Sequence, residues 1–312
     1  MKTLLTPHIA ALANQEPAVA RQFLPEVRET EIAPEENADP IGDGAFTPVH
    51  GIVHRYPDRV LLKPVMTCAA YCRFCFRREM VGDGALTGSE MDAAIGYIAA
   101  HPEVREVILT GGDPLVLSAR RIGALIKRLA AIPRLDWLRV HTRVPIVDPA
   151  RITPAMIAAL KSRLPVYVAI HCNHAAELTP EVRRACARMA DAGIPLLAQT
   201  VLLKGVNDGP DTLAALMRAL VKNRIKPYYL HHADLAPGTT HFRTSIAEGQ
   251  ALMRALRGRV SGLAQPTYVL DIPGGHGKAP IGPCYLDGDR VVDWRGNTHS
   301  YAPSVASAES GC

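Results

Sequence analysis

No apolar run in the 312-residue chain approaches the roughly 20 residues that a bilayer-spanning helix needs, so a helical membrane span is not expected. The opening segment, Met1-Lys2-Thr3-Leu4-Leu5-Thr6-Pro7, lacks the long apolar core and cleavage pattern of a secretory leader, and a cytoplasmic location is the expectation. Aromatic residues are scarce at 5%, and charge is nearly balanced, 35 Lys plus Arg against 30 Asp plus Glu. No basic run or aromatic-interleaved patch sharpens the resulting +5, so nucleic acid is not an expected partner. Outside one short cluster, the cysteines Cys172, Cys186, Cys284 and Cys312 are scattered and form no CxxC pair, which argues against a disulfide framework. Internal repeats are absent, and only the small-residue tail after Pro303 approaches low complexity.

What the chain has is enough apolar material, 48%, to bury a large core in one α/β unit. An amphipathic helix is expected around Pro7–Phe23, followed by an acidic, Pro-rich stretch from Glu26 to Asp43 that reads as a linker or surface arm. From Val60 onward the pattern alternates. Strands are expected at Val60–Met66, Glu106–Thr110, Trp137–Arg143, Val166–His171, Pro195–Leu203 and Pro227–His232. Helices are expected at Met91–Ala100, Ser118–Ala131, Thr153–Arg163, Thr179–Gly193, Asp211–Lys222 and Ser245–Arg259, several opened by a Thr cap and a proline. Such alternation implies a parallel sheet with right-handed crossovers, with chemistry at the C-terminal strand ends.

The densest signal is Cys68-Ala69-Ala70-Tyr71-Cys72-Arg73-Phe74-Cys75, which leaves the end of the first strand on a short loop. Three thiolates in this spacing suit a [4Fe–4S] cluster with one iron left open to a small molecule. Structural zinc usually takes four ligands and fits less well. Gly111-Gly112-Asp113-Pro114 ends a strand and permits close backbone approach. In His54-Arg55-Tyr56-Pro57-Asp58-Arg59, the two arginines could grip a phosphate, or the segment could be a solvated turn. Asp234 and Asp271 each follow a strand-like run, and two converging carboxylates could hold an ammonium group. His141-Thr142-Arg143, His171, Asn173 and Gln199 add polar groups at strand ends. Lys278 lies in Pro273-Gly274-Gly275-His276-Gly277-Lys278; a nucleotide-binding P-loop would need glycine at 272 and Ser or Thr at 279, where Ile272 and Ala279 stand.

Taken in order, these motifs resemble the radical S-adenosylmethionine (SAM) superfamily, and more narrowly the lysine 2,3-aminomutase family, from about His54 to about Pro280. The resemblance implies a partial (β/α)6 TIM-like barrel of the radical SAM type, with an N-terminal helical extension (1–50), the barrel (51–265) and a short C-terminal extension (266–312). It implies that Cys68, Cys72 and Cys75 hold the [4Fe–4S] cluster, and that Gly111, Gly112 and Asp113 contact SAM. His171 and Gln199 would line the SAM or substrate cavity. Arg55, Tyr56 and Arg59 would contact pyridoxal 5′-phosphate (PLP), carried on Lys278. Arg77 would meet the substrate α-carboxylate, and Asp234 and Asp271 the side-chain amine of lysine. The implied reaction moves the α-amino group of L-lysine to the β-carbon, with a flavodoxin or ferredoxin as electron donor. Homo-oligomerisation is left open.

Two other readings stand beside it. Cys72-Arg73-Phe74-Cys75-Phe76-Arg77-Arg78 is closer to the branch that serves modification of elongation factor P, whereas Asp271 and the glycine-rich loop before Lys278 are closer to the free-lysine branch. A non-catalytic iron–sulfur or zinc interaction protein is the reading from another class. The sequence departs from the family at His231, where a tyrosine near PLP is expected, and Cys284 and Cys312 do not reproduce the family's C-terminal cysteine cluster.

Overall fold

The strand-forming runs assemble into one nine-stranded sheet in sequence order. The computed structural model describes residues 3–82 and 84–301; the tail after Pro303, with Cys312, lies outside the described residues. Strands β2 (Arg59–Val65), β3 (Glu106–Gly111), β4 (Trp137–Thr142), β5 (Val166–His171), β6 (Leu196–Val201), β7 (Ile225–His231) and β8 (Thr267–Ile272) run parallel. At the edges, β1 (Ile52–Tyr56) pairs antiparallel with β2, and β9 (Gly277–Pro280) antiparallel with β8. The barrel therefore gains a parallel strand beyond the six expected, because Thr267–Ile272 joins β7 instead of ending as a loose run.

Helices surround this sheet, with α1 (Pro7–Ala13) and α2 (Pro17–Phe23) against the loops that follow β4 and β5. The others are α3 (Gly88–Ala100), α4 (Ala119–Ala130), α5 (Val144–Val147), α6 (Pro154–Leu160), α7 (Pro180–Asp191), α8 (Pro210–Lys222) and α9 (Ile246–Leu256). Their starts follow the local chemistry. Thr87 with Glu90 and Ser245 with Glu248 form reciprocal capping boxes, and Thr153 and Thr179 cap helices that open on proline. Apolar faces such as Ile122, Leu125, Ile126 and Leu129 of α4 bury against the sheet, whose β3 is buried at every position. None of the helices among the described residues is long and apolar enough to cross a membrane.

One expectation is corrected and one is refined. The single helix over Pro7–Phe23 is two, because Pro17 has no N–H to continue the first and instead starts the second. The stretch from Glu26 to Asp43 does lie on the surface, with Val27 and Ile32 exposed, but several of its carboxylates anchor it to the rest of the molecule. Glu29 accepts from Arg73 Nε and Arg78 Nη2 at 2.7 Å each, and Glu36 accepts from Gly238 N, the Thr240 hydroxyl and Arg243 Nη1. Asp43 is buried as well. Composition marked this arm as polar; Glu31 and Glu35 stay exposed, while Glu29, Glu36 and Asp43 turn inward to arginines. Beyond β9, a small, mostly exposed antiparallel sheet of β10 (Leu286–Asp287), β11 (Arg290–Val292) and β12 (Thr298–Ser300) is seated on the end of α9 through Trp294 at Gly258 and Tyr285 at Arg257.

Candidate active site

A cavity of about 530 Å³ runs along the inside of the sheet, from Arg59, Glu106 and Trp137 at the N-terminal ends of β2, β3 and β4 to the loops at the C-terminal strand ends. Of the residues singled out in the sequence, Arg55, Tyr56, Arg59, Cys68, Cys72, Cys75, Arg77, Gly111, Gly112, Asp113, His171, Gln199, Asp234, Asp271 and Lys278 line it, whereas Asn173 is buried behind it and bonded to Gln22 and Asn207. Parallel strands put the loops that carry the cysteines, Gly111-Gly112-Asp113 and Asp234 on one rim, whereas Arg55, Tyr56 and Arg59 come from β1 and the start of β2 and reach the cavity from the sheet edge.

At one end lie the three cysteines, all free. Burial pushes the Cys68 thiol far above its usual range, helped by the charge of Asp113, and burial followed by the Cys72 charge raises Cys75 to about 11. Such thiols become thiolates only when a positive partner offsets the desolvation, and iron is such a partner. Among the described residues, no three His, Cys, Asp or Glu side chains close around a single-ion position. Thiolates that cap separate corners of a cubane need not converge on one point, so the donor set and its spacing fit an iron–sulfur cluster. Beside it, the glycines of the Gly111-Gly112 turn are demanded by packing: Gly111 has φ +105°, and a Cβ on Gly112 would lie 2.4 Å from the Thr67 carbonyl oxygen. The Asp113 carboxylate is already fully engaged, accepting from Leu115 N and the Thr142 hydroxyl on one oxygen and from Arg143 N and Val144 N on the other.

In the middle, Asp43 reaches in from the N-terminal arm. One of its oxygens accepts from Arg55 Nη2 at 3.0 Å and the other from Arg77 Nη2 at 2.9 Å. Burial would raise Asp43, but Arg77 beside it, with Lys63 and Arg55, holds it below the usual carboxylate range. Arg77 Nη1 also reaches the Thr110 hydroxyl, while the Nε of Arg55 and of Arg77 is buried without an acceptor. A buried donor left unpaired costs about 1–3 kcal/mol, so each arginine is held here one hydrogen bond short of full satisfaction. Sequence reasoning missed Asp43; nothing in Gly42-Asp43-Gly44 announces a cavity. Arg59 stacks over the Tyr56 ring at 3.8 Å and pairs with Asp58.

At the far end, β8 and β9 place Asp271 directly opposite Lys278. Lys278 Nζ donates to both Asp271 oxygens at 2.6 Å, and His231 Nδ1 stands 3.6 Å from the same carboxylate. Burial would raise Asp271, but the His231 hydrogen bond and the Lys278 charge hold it far below its usual range. Asp234 has no such partner; burial and the nearby Asp271 charge push it up to about 7. His171, in register with Gln199, is kept neutral, with burial and then the charge of His231 lowering it to about 3. Gln199 Nε2 lies 3.0 Å from His141 Nε2, a residue burial also keeps neutral.

A barrel of parallel strands with three cysteines on the loop after its first parallel strand defines a radical SAM protein. Comparison with known proteins agrees: residues 62–217 match the radical SAM superfamily and residues 253–294 match the family described as lysine-2,3-aminomutase. The chain is 44% identical over 92% of its length to the L-lysine 2,3-aminomutase of Acetoanaerobium sticklandii, of which it spans 70%. It is 40% identical over 81% of its length to the glutamate 2,3-aminomutase of Clostridioides difficile, spanning 60% of that protein. The structure of Streptococcus suis SuiB bound to its precursor peptide SuiA aligns with a TM-score of 0.51 at 15% identity, covering 66% of this chain and 46% of SuiB, and so shares the fold. The chain belongs to the lysine 2,3-aminomutase family of radical SAM enzymes, a family of isomerases that use a [4Fe–4S] cluster and SAM.

Proposed function

We propose that this protein is a PLP-dependent radical SAM aminomutase that moves the α-amino group of L-lysine to the β-carbon, giving β-lysine. The observation that carries this is the Asp271 carboxylate, which receives a primary ammonium on both oxygens within the same cavity as the cysteine triad. Here the ammonium belongs to Lys278; it stands in for the terminal ammonium of a lysine substrate once Lys278 is engaged elsewhere. Asp234 adds a second carboxylate. Two carboxylates favour a side chain ending in an amine over one ending in a carboxylate, which sets lysine ahead of the glutamate of the Clostridioides difficile relative.

When bound, the cluster and SAM supply the hydrogen-abstracting radical, and PLP supplies the electron sink for amino-group migration. The chain's own residues supply the positions. Cys68, Cys72 and Cys75 would hold the cluster, and Lys278 would carry PLP, with Arg55, Tyr56 and Arg59 at its phosphate. Arg77 would take the substrate α-carboxylate, and its unpaired buried Nε supports that role. Arg77 at one side and Asp234 and Asp271 at the other would hold the two ends of the substrate across this cavity. A low-potential donor, flavodoxin or ferredoxin in class, must deliver the electron.

A second reading keeps the chemistry and directs the product to elongation factor P; Phe74 and Phe76 in the cysteine loop favour it. Mass spectrometry of an anaerobic reaction of reconstituted protein with SAM, PLP, reductant and L-lysine decides. Free β-lysine establishes reaction and substrate together. A rate that rises only with a partner protein selects the second reading. 5′-Deoxyadenosine without β-lysine rejects lysine as the substrate.

A further inference from the structure

We infer that Arg143 is a positioning residue that donates a hydrogen bond to the Cys72 sulfur and thereby raises the reduction potential of the cluster. The inference rests on Cys72 being a cluster ligand. Arg143 follows β4 and is 7% exposed, with Nη1 at 2.8 Å from Cys72 Sγ. Its other arm is locked: Nη2 donates to Gln22 Oε1 at 2.6 Å and to Glu177 Oε2 at 2.8 Å. Neither acceptor can drift. Glu177 and Gln22 are both fully buried, and Glu177 Oε1 already accepts from Asn173 N, His174 N and Gln22 Nε2. The guanidinium also lies over the rings of Phe23, 4.3 Å from its centroid, and Phe74, at 5.3 Å. With Nη2 held by two acceptors and the plane held by two rings, Nη1 is aimed at the sulfur, and Nε is buried without an acceptor of its own. Lysine, a point charge on a flexible stem, could not satisfy the same partners together.

The consequence is electrostatic. Taking up one electron makes the cluster more negative, and a cationic donor on a ligating sulfur stabilises that reduced form more than the oxidised one. Burial leaves the interaction little screened by salt. Gln22 and Phe23 belong to α2, outside the segment that matches the radical SAM superfamily, so the N-terminal helices reach the redox centre through Arg143.

The test uses whole protein reconstituted with iron and sulfide, without SAM or amino acid, and reads the cluster midpoint by an EPR-monitored redox titration. The double variant Arg143→Gln/Glu177→Gln removes both charges, so no buried ion is stranded. Its midpoint is expected to shift to more negative potential with full iron content retained. Gln22→Met, which loosens the fork and keeps both charges, is expected to shift the same way by less. Unchanged midpoints in both variants overturn the inference. So does loss of the cluster in the double variant while Gln22→Met keeps both its cluster and the parent midpoint, since Arg143 would then only brace the loop. If the parent protein assembles no cluster, the cysteine assignment itself fails, and the inference with it, before any variant is compared.

Discussion

Asp271 and Asp234 line one cavity, yet Asp271 is held far below the usual carboxylate range while Asp234 is raised to about 7. The difference is a partner: Asp271 has Lys278 and His231, and Asp234 has burial and a like charge beside it. Only the ionised form of Asp234 accepts an ammonium group well. Its raised pKa means that this form is lost as pH falls through about 7, while the lysine side chain, with a pKa near 10.4, stays charged throughout. Thus kcat/KM for lysine should climb from pH 6 to pH 8, and Asp234→Asn should flatten that rise. A hydrogen bond to a charged group contributes about 1.5–3 kcal/mol, so the variant should also raise KM ten- to a hundredfold. A pH profile of Asp234→Asn that keeps the parent's shape would remove Asp234 from the ammonium site. Lys278 has a separate signature. Lys278→Ala should lose the visible absorbance of lysine-bound PLP; a spectrum identical to the parent's would move the anchor elsewhere.

At the scale of elements, the arm between α2 and β1 matters most, and the sequence disclosed least about it. Cysteine spacing, strand ends and the glycine-rich turn are local signals, so Cys68, Gly111 and Lys278 could be found by reading along the chain. Asp43 and Arg143 acquire their roles only from partners far away, Arg77 and Arg55 for the first and Gln22 and Glu177 for the second. Periodicity cannot report such pairings. The same limit hid β9: four residues with two glycines nearby look like a loop until β8 is there to pair with them. Asp43 is held by its own turn, in which Asp39 accepts from Asp43 N and Gly44 N at 2.8 Å each. That turn packs on the one before Lys278 so closely that a Cβ on Gly42 would lie 2.6 Å from Gly275 N. Replacing Asp43 by Ala leaves Arg55 and Arg77 buried without their shared counter-ion. Breaking a buried pair from one side costs about 3–5 kcal/mol, so the urea midpoint of the cofactor-free protein should fall markedly. A midpoint within error of the parent's would show that the two guanidiniums find solvent or another acceptor without Asp43.

For the molecule as a whole, the decisive feature is where the sheet almost closes. β1 and β9 are its two edges, and they meet at the site instead of pairing along their length. The Tyr56 hydroxyl accepts from the Lys278 backbone N–H at 2.7 Å, joining residues 222 positions apart. The approach is close enough that a Cβ on Gly277, whose φ is +88°, would sit 2.7 Å from that oxygen, so only glycine fits there. One hydrogen bond thus fixes the backbone of Lys278 to the strand that carries Arg55. If PLP is gripped by its phosphate at Arg55 and by its carbon frame at Lys278, this seam sets the distance between the two grips. Tyr56→Phe tests that directly, because it keeps the ring under Arg59 and removes only the acceptor. A single hydrogen bond contributes about 0.5–1.5 kcal/mol net, so global stability should drop by no more than that. Hydrogen exchange at the Lys278 amide should nevertheless quicken about three- to tenfold, and PLP affinity should weaken in step. Were exchange to quicken with PLP affinity unmoved, the seam would hold β9 in place without setting the cofactor's span. An unchanged exchange rate would mean that the β8 pairing alone secures the hairpin.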